Sequence, residues 1–387
     1  ERWGFTGTVV ADYFGVNFLQ TLHGVSDGKA ASAERALLAG LDVELPNADC
    51  FPALADGEPS AEVLAAIDRS VRRVLELKAE LGLLDEPAEQ SDEPIDLNPP
   101  AHVALARRVA EESVVLLAND GVLPLAAPRR VAVIGPNADS GAALLGDYSF
   151  TNHVEVHHPD VEPGLRIATV LEALRAELGG AEVTHAPGCD VREPGREGFA
   201  EAVALASDAD VAVLVVGDRS GLFGRGTVGE GCDVDSLELP GEQRALVEAV
   251  LETGTPVVLV LVTGRPYALG WAVGRASAIV QAWFPGQEGA AAVAGVLSGR
   301  INPSGRTTIS FPRSAGMMPT TYRHVRLAGK VGVTNLDPTP VFPFGHGLSY
   351  TTFERSDLRL SAEEIATDGT VEVSVRVRNT GDRAGAD

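Results

Sequence analysis

Six strand-length apolar runs between residues 129 and 312 restrict what this chain can fold into: RRVAVIG, AEVTHAP, DVAVLVVG, TPVVLVLV, ASAIVQAW and RTTISF. Near-continuous Val, Ile and Leu marks strands buried on both faces, as in parallel sheets covered by helices. Helix-patterned stretches at 168–178, 196–207, 241–253 and 287–299 separate the runs. The alternation predicts one doubly wound α/β domain. The turn in VAVIGPNADSG resembles a nucleotide-binding turn only superficially. It lacks GxGxxG, and no dinucleotide site is expected there.

One connection in this domain is too long for an ordinary strand-to-helix turn. The run Val211–Val216 ends at Gly217, and the next helix opens near Pro240-Gly241-Glu242-Gln243. The intervening loop, DRSGLFGRGTVGEGCDVDSLEL, is rich in glycine and holds Asp218, Glu230, Asp233 and Asp235. Long ordered loops in compact domains are usually functional. The loop is read as delivering one carboxyl to a reaction centre on another domain. Asp218, at the strand's carboxyl end, and Glu230 are rival candidates, and spacing alone does not separate them. Arg219 and Arg225 either bias the loop carboxyls or solvate the loop surface.

Upstream, the pattern is strand (7–13, GTVVADY), helix (30–40), strand (41–46, LDVELP) and a long amphipathic helix capped by Ser60. Its apolar positions are Val63, Leu64, Ile67, Val71, Val74, Leu75 and Leu77. These are two βα units of a parallel architecture, in which functional residues sit at strand carboxyl ends. Asp12 and Glu44 occupy such ends, and Glu44 also suits a purely structural role. The acidic, proline-rich stretch DEPAEQSDEPIDLNPP reads as a linker, followed by a helix over 101–118. Residues 313–350 are irregular and end in VFPFGHGLSY. From about residue 355 the period-two alternation of TVEVSVRVRNTGD predicts antiparallel strands.

The balance of charge excludes some functions. The chain has 387 residues, 45% apolar, with a formal net charge of −23. That surplus argues against nucleic acid as a partner. No apolar run is long enough to span a membrane. The cysteines Cys50, Cys189 and Cys232 lie far apart, with neither a disulfide framework nor zinc spacing. His153, His157, His158, His324 and His346 likewise show no metal-ligand spacing. Neither metal nor cofactor is implied. A phosphate loop and a GxSxG elbow are both missing from the sequence, which counts against nucleotide or acyl chemistry.

Taken in order, GFTGTVVADYFG, the linker, ESVVLLANDGVLPL, the GEGCD loop, LVTGRPYAL, WFPGQEGAAAVAGVLSGRINPSGRTTISFP and VFPFGHGLSY resemble glycoside hydrolase family 3. The likeness spans nearly the whole chain and is nearest to bacterial β-glucosidases and β-xylosidases. It implies an α/β chain in three parts. Residues 1–84 would be the C-terminal end of a (β/α)8-type barrel and 85–100 a linker. Residues 101–350 would be an α/β sandwich with a mostly parallel sheet, and 351–387 the start of a fibronectin type III-like β-sandwich. With no initiator Met and no signal-peptide pattern, the chain reads as part of a longer protein, so compartment and oligomeric state are open. By itself it is expected to hold a protease-resistant core over 101–350, to fray at both ends and to lack glycosidase activity.

The resemblance implies a retaining, exo-acting β-glycosidase acting on terminal β-D-glucosyl residues of oligosaccharides or glycosides. A β-xylosidase and a noncatalytic carbohydrate-binding relative are the alternatives. Retaining hydrolysis needs two carboxyls about 5 Å apart, one ionised to attack and one protonated to release the leaving alcohol. By resemblance the nucleophile falls on Asp12 and the acid/base on Glu230. Ala11 and Tyr13 depart from the family's usual Ser and Trp beside the nucleophile, and Tyr13 remains able to stack on a sugar face. Trp283, Phe284, Phe342 and Phe344 suit core packing better than a sugar subsite. Glucose or xylose preference, linkage and aglycone are not legible, because the sugar-anchoring residues would lie upstream of residue 1.

Overall fold

The computed structural model describes residues 3–85, 95–155, 157–158, 160–161, 164–317, 321–323, 330, 332 and 335–387. Most of the acidic, proline-rich stretch and His324 therefore lie outside the described residues. The chain divides into two compact units, Glu1–Ile95 and Asp96–Asp387.

In the first unit, β1 (Val10–Tyr13) is followed by α1 (Gly15–Thr21), α2 (Lys29–Ala39), β2 (Val43–Leu45) and α3 (Ala61–Glu80). β1 and β2 pair in parallel, with Val10 opposite Val43 and Tyr13 opposite Leu45. The Ser60 hydroxyl accepts the Val63 amide at 3.3 Å, which satisfies one of the free N–H groups at the start of α3. Asp42, at the entry to β2, is nearly buried. Burial opposes its charge, yet the Val9 amide, the Ser70 hydroxyl and the Arg73 guanidinium hold its carboxyl below the usual range.

The apolar stripe of α3 is only partly used. Val63 and Ala66 are buried, whereas Leu64, Val71, Leu75 and Leu77 stay exposed. A groove of about 490 Å³ runs along this helix, lined by Leu37, Phe51, Leu54, Ile67, Val71 and Leu75. Leu64, Val71 and Leu75 recur at helical spacing, so these three form one open stripe, while Leu77 lies on another face.

The second unit begins with α4 (Pro100–Ser113), β3 (Val115–Asn119), β4 (Arg130–Ile134), α5 (Phe150–Glu155), α6 (Val170–Glu177) and β5 (Glu182–Ala186). It continues through α7 (Phe199–Ser207), β6 (Val211–Gly217), α8 (Gln243–Leu251), β7 (Val257–Val262), β8 (Ala278–Gln281) and α9 (Gly289–Ser298). Among the described residues, six strands form one mixed sheet in the order β3-β8-β7-β6-β4-β5. All neighbours are parallel except β3, which runs antiparallel to β8. Every position of β6 and β7 is buried. Alternate residues point to opposite faces. Val213, Val215, Val258 and Val260 pack on α6 and α9, while Leu214, Val216, Leu259 and Leu261 pack on α7 and α8.

Two expectations are corrected. The helix predicted over 101–118 stops at Ser113, and Val115–Asn119 is an edge strand. Val114 through Leu117 are all at most 1% exposed, a continuous burial that a helix packed on one face does not give. The β-branched pair Val114-Val115 also favours the extended form. RTTISF, predicted as a sheet strand, makes only an isolated bridge between Phe311 and Phe342 among the described residues. Its backbone pairs with the VFPFGHGLSY segment instead: Phe311 N–H donates to Phe342 at 2.8 Å and Thr307 N–H to His346 at 2.8 Å. Prolines at 312 and 343 remove the donors a regular ladder would need.

β9 (Phe353–Leu360) and β10 (Val373–Asn379) form an antiparallel pair. All of β10 is exposed.

Candidate active site

The long loop leaves β6 at Gly217, and its two ends are stitched by one side chain. Gln243, fully buried at the start of α8, accepts the Gly217 amide at 2.7 Å and donates to the carbonyls of Gly217 and Val191 at 2.8 and 2.7 Å. A buried amide with these partners satisfied fixes where the loop begins and where it must return. Sequence alone gives no signal of this role, since a Gln on a helix is usually exposed.

Asp218, the rival acid on sequence grounds, is fully buried. Its carboxylate accepts the Thr227 hydroxyl at 2.7 Å, the Tyr267 hydroxyl, and the Gly264 amide at 3.0 Å. Burial first, and the Asp218 charge next, push the Tyr267 phenol well above its ordinary range, so it serves as a fixed donor. Asp218 therefore anchors the loop base and has no free oxygen face toward a substrate. Asp218→Ala takes the acceptor from the buried Tyr267 hydroxyl and unties Thr227 and Gly264 from the loop base. The expected result is a loss of about 3 kcal/mol from the second unit, read as a lower urea midpoint. An unchanged midpoint would remove the anchoring role.

Beyond Asp218 the loop folds back on itself. Gly221 N–H donates to Val228 at 3.0 Å, and Phe223 N–H to the Glu230 carbonyl at 2.7 Å. Thr227 N–H donates to Arg219 at 2.8 Å. At Gly229 the chain takes φ 124°, and a Cβ there would lie 2.0 Å from the Gly221 carbonyl oxygen. Only glycine permits this close return. It brings Glu230 to the exposed tip.

A second segment braces that tip. Residues 145–152 follow β4, and the loop follows β6, its neighbour in the sheet. The Ser220 hydroxyl donates to the Leu145 carbonyl at 2.5 Å, and Asn152 Nδ2 donates to the Ser220 hydroxyl at 2.8 Å. The Glu230 amide donates to Asp147 Oδ2 at 3.0 Å, and the Tyr148 hydroxyl donates to Glu230 Oε2. Between the ends of β4 and β6 lies a pocket of about 390 Å³ lined by Asn137, Ser140, Asn152, Arg219, Ser220 and Arg225. Here the chain connections of the sheet diverge, which is where open α/β sheets form ligand crevices. Arg219 faces Asp190 at 4.0 Å.

In the first unit Asp12 is exposed near the carboxyl end of β1. Its Oδ1 accepts the Tyr13 amide at 2.7 Å. Tyr13 is 59% exposed, and its ring meets Phe14 edge-on at 6.4 Å. Glu44 is different. It is buried, and its oxygens accept the amides of Asp49, Cys50 and Phe51 at 2.9–3.1 Å, capping the 3-10 helix Phe51–Asp56. Among the described residues, Glu44, Asp49 and Cys50 are the trio whose ligand atoms lie close enough to share a metal. Burial, then the Glu44 carboxylate, pushes the Cys50 thiol up to about 12, and Asp49 is paired with Lys29. A protonated thiol and a carboxylate saturated by backbone donors do not fit a metal.

The aromatic candidates separate as well. Phe342 is buried against Phe311, which also meets Trp283, and Phe284 packs on the sheet core. Phe344 is half exposed and stacks on Tyr322 at 4.7 Å. His346 Nε2 donates to the Leu117 carbonyl at 2.7 Å, which ties the aromatic-glycine segment to β3.

Both units have counterparts among glycoside hydrolases. Residues 1–77 match the glycosyl hydrolase family 3 N terminal domain, and residues 114–350 match the glycosyl hydrolase family 3 C-terminal domain. The chain belongs to glycosyl hydrolase family 3. It is 35% identical to a β-xylosidase of Formosa agariphila, over 98% of this chain and 53% of that one. It is 36% identical to a periplasmic β-glucosidase of Salmonella typhimurium, over 100% of this chain and 54% of that one. Among solved structures, a β-glucosidase involved in saponin metabolism from intestinal bacteria superposes with a TM-score of 0.86 at 31% identity. That match covers 99% of this chain and 57% of the other. The chain thus spans about half the length of the relatives it matches.

Proposed function

We propose that the complete protein is a retaining, exo-acting β-glycosidase that removes terminal non-reducing β-D-glucosyl residues from oligosaccharides or glycosides. In this reading Asp12 is the nucleophile, Glu230 the acid/base and Tyr13 a sugar-stacking residue. The observation that carries it is the contrast on one loop: Asp218 is buried and consumed by its donors, whereas Glu230 is held at an exposed tip. The Asp12 carboxylate attacks the anomeric carbon as the glycosidic C–O bond breaks, and the Glu230 proton passes to the departing oxygen. Water then loses a proton to Glu230 and cleaves the glycosyl ester, restoring both carboxyls with net retention.

Residues 1–84 are read as βα units of a barrel, 85–100 as a linker, 101–350 as the α/β sandwich and 351–387 as the start of a fibronectin type III-like sandwich. The parallel β1–β2 pair and the open apolar stripe of α3 support the first, since barrel helices bury such stripes on their neighbours. The antiparallel β9–β10 pair supports the last.

A β-xylosidase is the second reading, favoured by the 35% identity to the Formosa agariphila β-xylosidase. The test uses the complete enzyme with nitrophenyl β-glucoside and nitrophenyl β-xyloside, and proton NMR of the first sugar released. Faster turnover of the glucoside with the β-anomer appearing first is expected. Preference for the xyloside selects the second reading. An initial α-anomer, or sugar binding with no turnover, overturns the mechanism.

A further inference from the structure

The segment Leu145–Asn152 holds Glu230 twice over, and the two holds differ in kind. Asp147 Oδ2 takes the backbone amide of Glu230 at 3.0 Å. That contact, with the Leu145–Ser220–Asn152 links at 2.5 and 2.8 Å, fixes the path of the loop. The Tyr148 hydroxyl acts on the carboxyl itself, through Oε2. Tyr148 is in turn held by its ring, which stacks on His153 from α5 with centroids 6.0 Å apart and planes 27° apart. A glutamate at an exposed loop tip has side-chain torsions that nothing local restrains. A phenol bound to one of its oxygens removes most of that freedom.

We propose that Tyr148 is the positioning residue for the acid/base step: it engages Glu230 Oε2 so that Oε1 carries the proton given to the leaving oxygen. Asp147 fixes the backbone from which that carboxyl projects. The inference rests on the reading of Glu230 as acid/base. Tyr148 itself neither gains nor loses a proton in the step. It sets the direction of the carboxyl, and a misplacement of about 1 Å in a proton donor costs on the order of 10² in rate. The hydroxyl does little for folding, because Tyr148 is 65% exposed and an exposed hydrogen bond is worth little to stability.

The test is Tyr148→Phe in the complete enzyme, which keeps the ring that stacks on His153 and so preserves the fold. On cellobiose, whose leaving group needs a proton, kcat/KM should fall by roughly 10- to 100-fold. On dinitrophenyl β-glucoside, whose leaving group needs none, glycosylation should stay within about twofold. In a Glu230→Ala background, adding Tyr148→Phe should cost less than about twofold more on cellobiose, because a positioner acts only through what it positions. Asp147→Asn, which keeps an oxygen for the Glu230 amide, should fall less on cellobiose than Asp147→Ala. If Tyr148→Phe lowers both substrates equally, or its loss persists in full without Glu230, the positioning role fails while the Glu230 reading stands. If Glu230→Ala alone leaves cellobiose turnover intact, the acid/base reading fails first and takes this inference with it.

Discussion

Asp12→Ala in the complete enzyme should lower turnover of a nitrophenyl β-glucoside by about 10⁴-fold or more, equivalent to about 5 kcal/mol of barrier. The size of the effect follows from the role. Without the carboxylate no covalent glycosyl-enzyme forms, and activating the leaving group does not restore that route. The side chain is also easy to remove. Asp12 is exposed on β1, and its described hydrogen bond is to the amide of the next residue. Changes at such surface sites usually alter stability by no more than about 0.5 kcal/mol, so an unchanged melting curve beside a collapsed rate would isolate the chemistry. Asp12→Asn, with the same volume and no charge, should lose nearly as much. A second measurement is independent of rate. A 2-fluoro-β-glucoside with a good leaving group should leave a stable mass adduct on the peptide containing Asp12. Near wild-type hydrolysis by Asp12→Ala, or an adduct mapping elsewhere, would reassign the nucleophile.

The parallel sheet was legible because its strands are buried on both faces. β6 (VAVLVVG) and β7 (VVLVLV) read as continuous apolar runs, and each position in them is buried. β3 was not legible. Its VVLLA run continues a helical pattern, and a short apolar run fits either form until a neighbour such as β8 claims it. RTTISF failed for the opposite reason. It has strand composition, but its partner is the irregular segment around Phe342 rather than the sheet.

The loop shows the same limit at the level of single residues. Asp218 and Glu230 carry the same chemistry twelve positions apart, and nothing local says which one is buried. That is decided by Thr227, Gly264 and Tyr267, the last of them 49 residues away in sequence. The Tyr148 contact spans 82 residues, and a lone tyrosine in GDYS gives no signal of it. Glu44 reads from sequence as a strand-end carboxylate, and the amides it caps come from the turn just after β2. Local pattern sets the sheet and the loop; the contacts that sort its carboxyls are made only once distant segments have packed.

Glu230→Ala should then separate two kinds of substrate in the complete enzyme. Cellobiose needs a proton on its departing sugar, and its kcat/KM should fall by roughly 10³-fold, within the range for loss of a general acid. Dinitrophenyl β-glucoside needs no such proton in the first step, so glycosylation should proceed. The second step should stall, because water at the glycosyl ester has lost its general base, and a burst of dinitrophenol followed by slow turnover is expected. Azide, a nucleophile that needs no base, should relieve the stall, raise steady-state release severalfold and yield a β-glucosyl azide with retained configuration. The loop architecture makes this variant clean. Gln243 and Asp218 hold the base of the loop, and the Glu230 amide still reaches Asp147, so removing the carboxyl leaves the backbone braced. Asp218→Ala provides the contrast: its loss should appear in urea unfolding, should fall on both substrates alike and should not respond to azide. If Glu230→Ala slows both substrates equally and azide changes nothing, the exposed tip of the loop does not carry the acid/base.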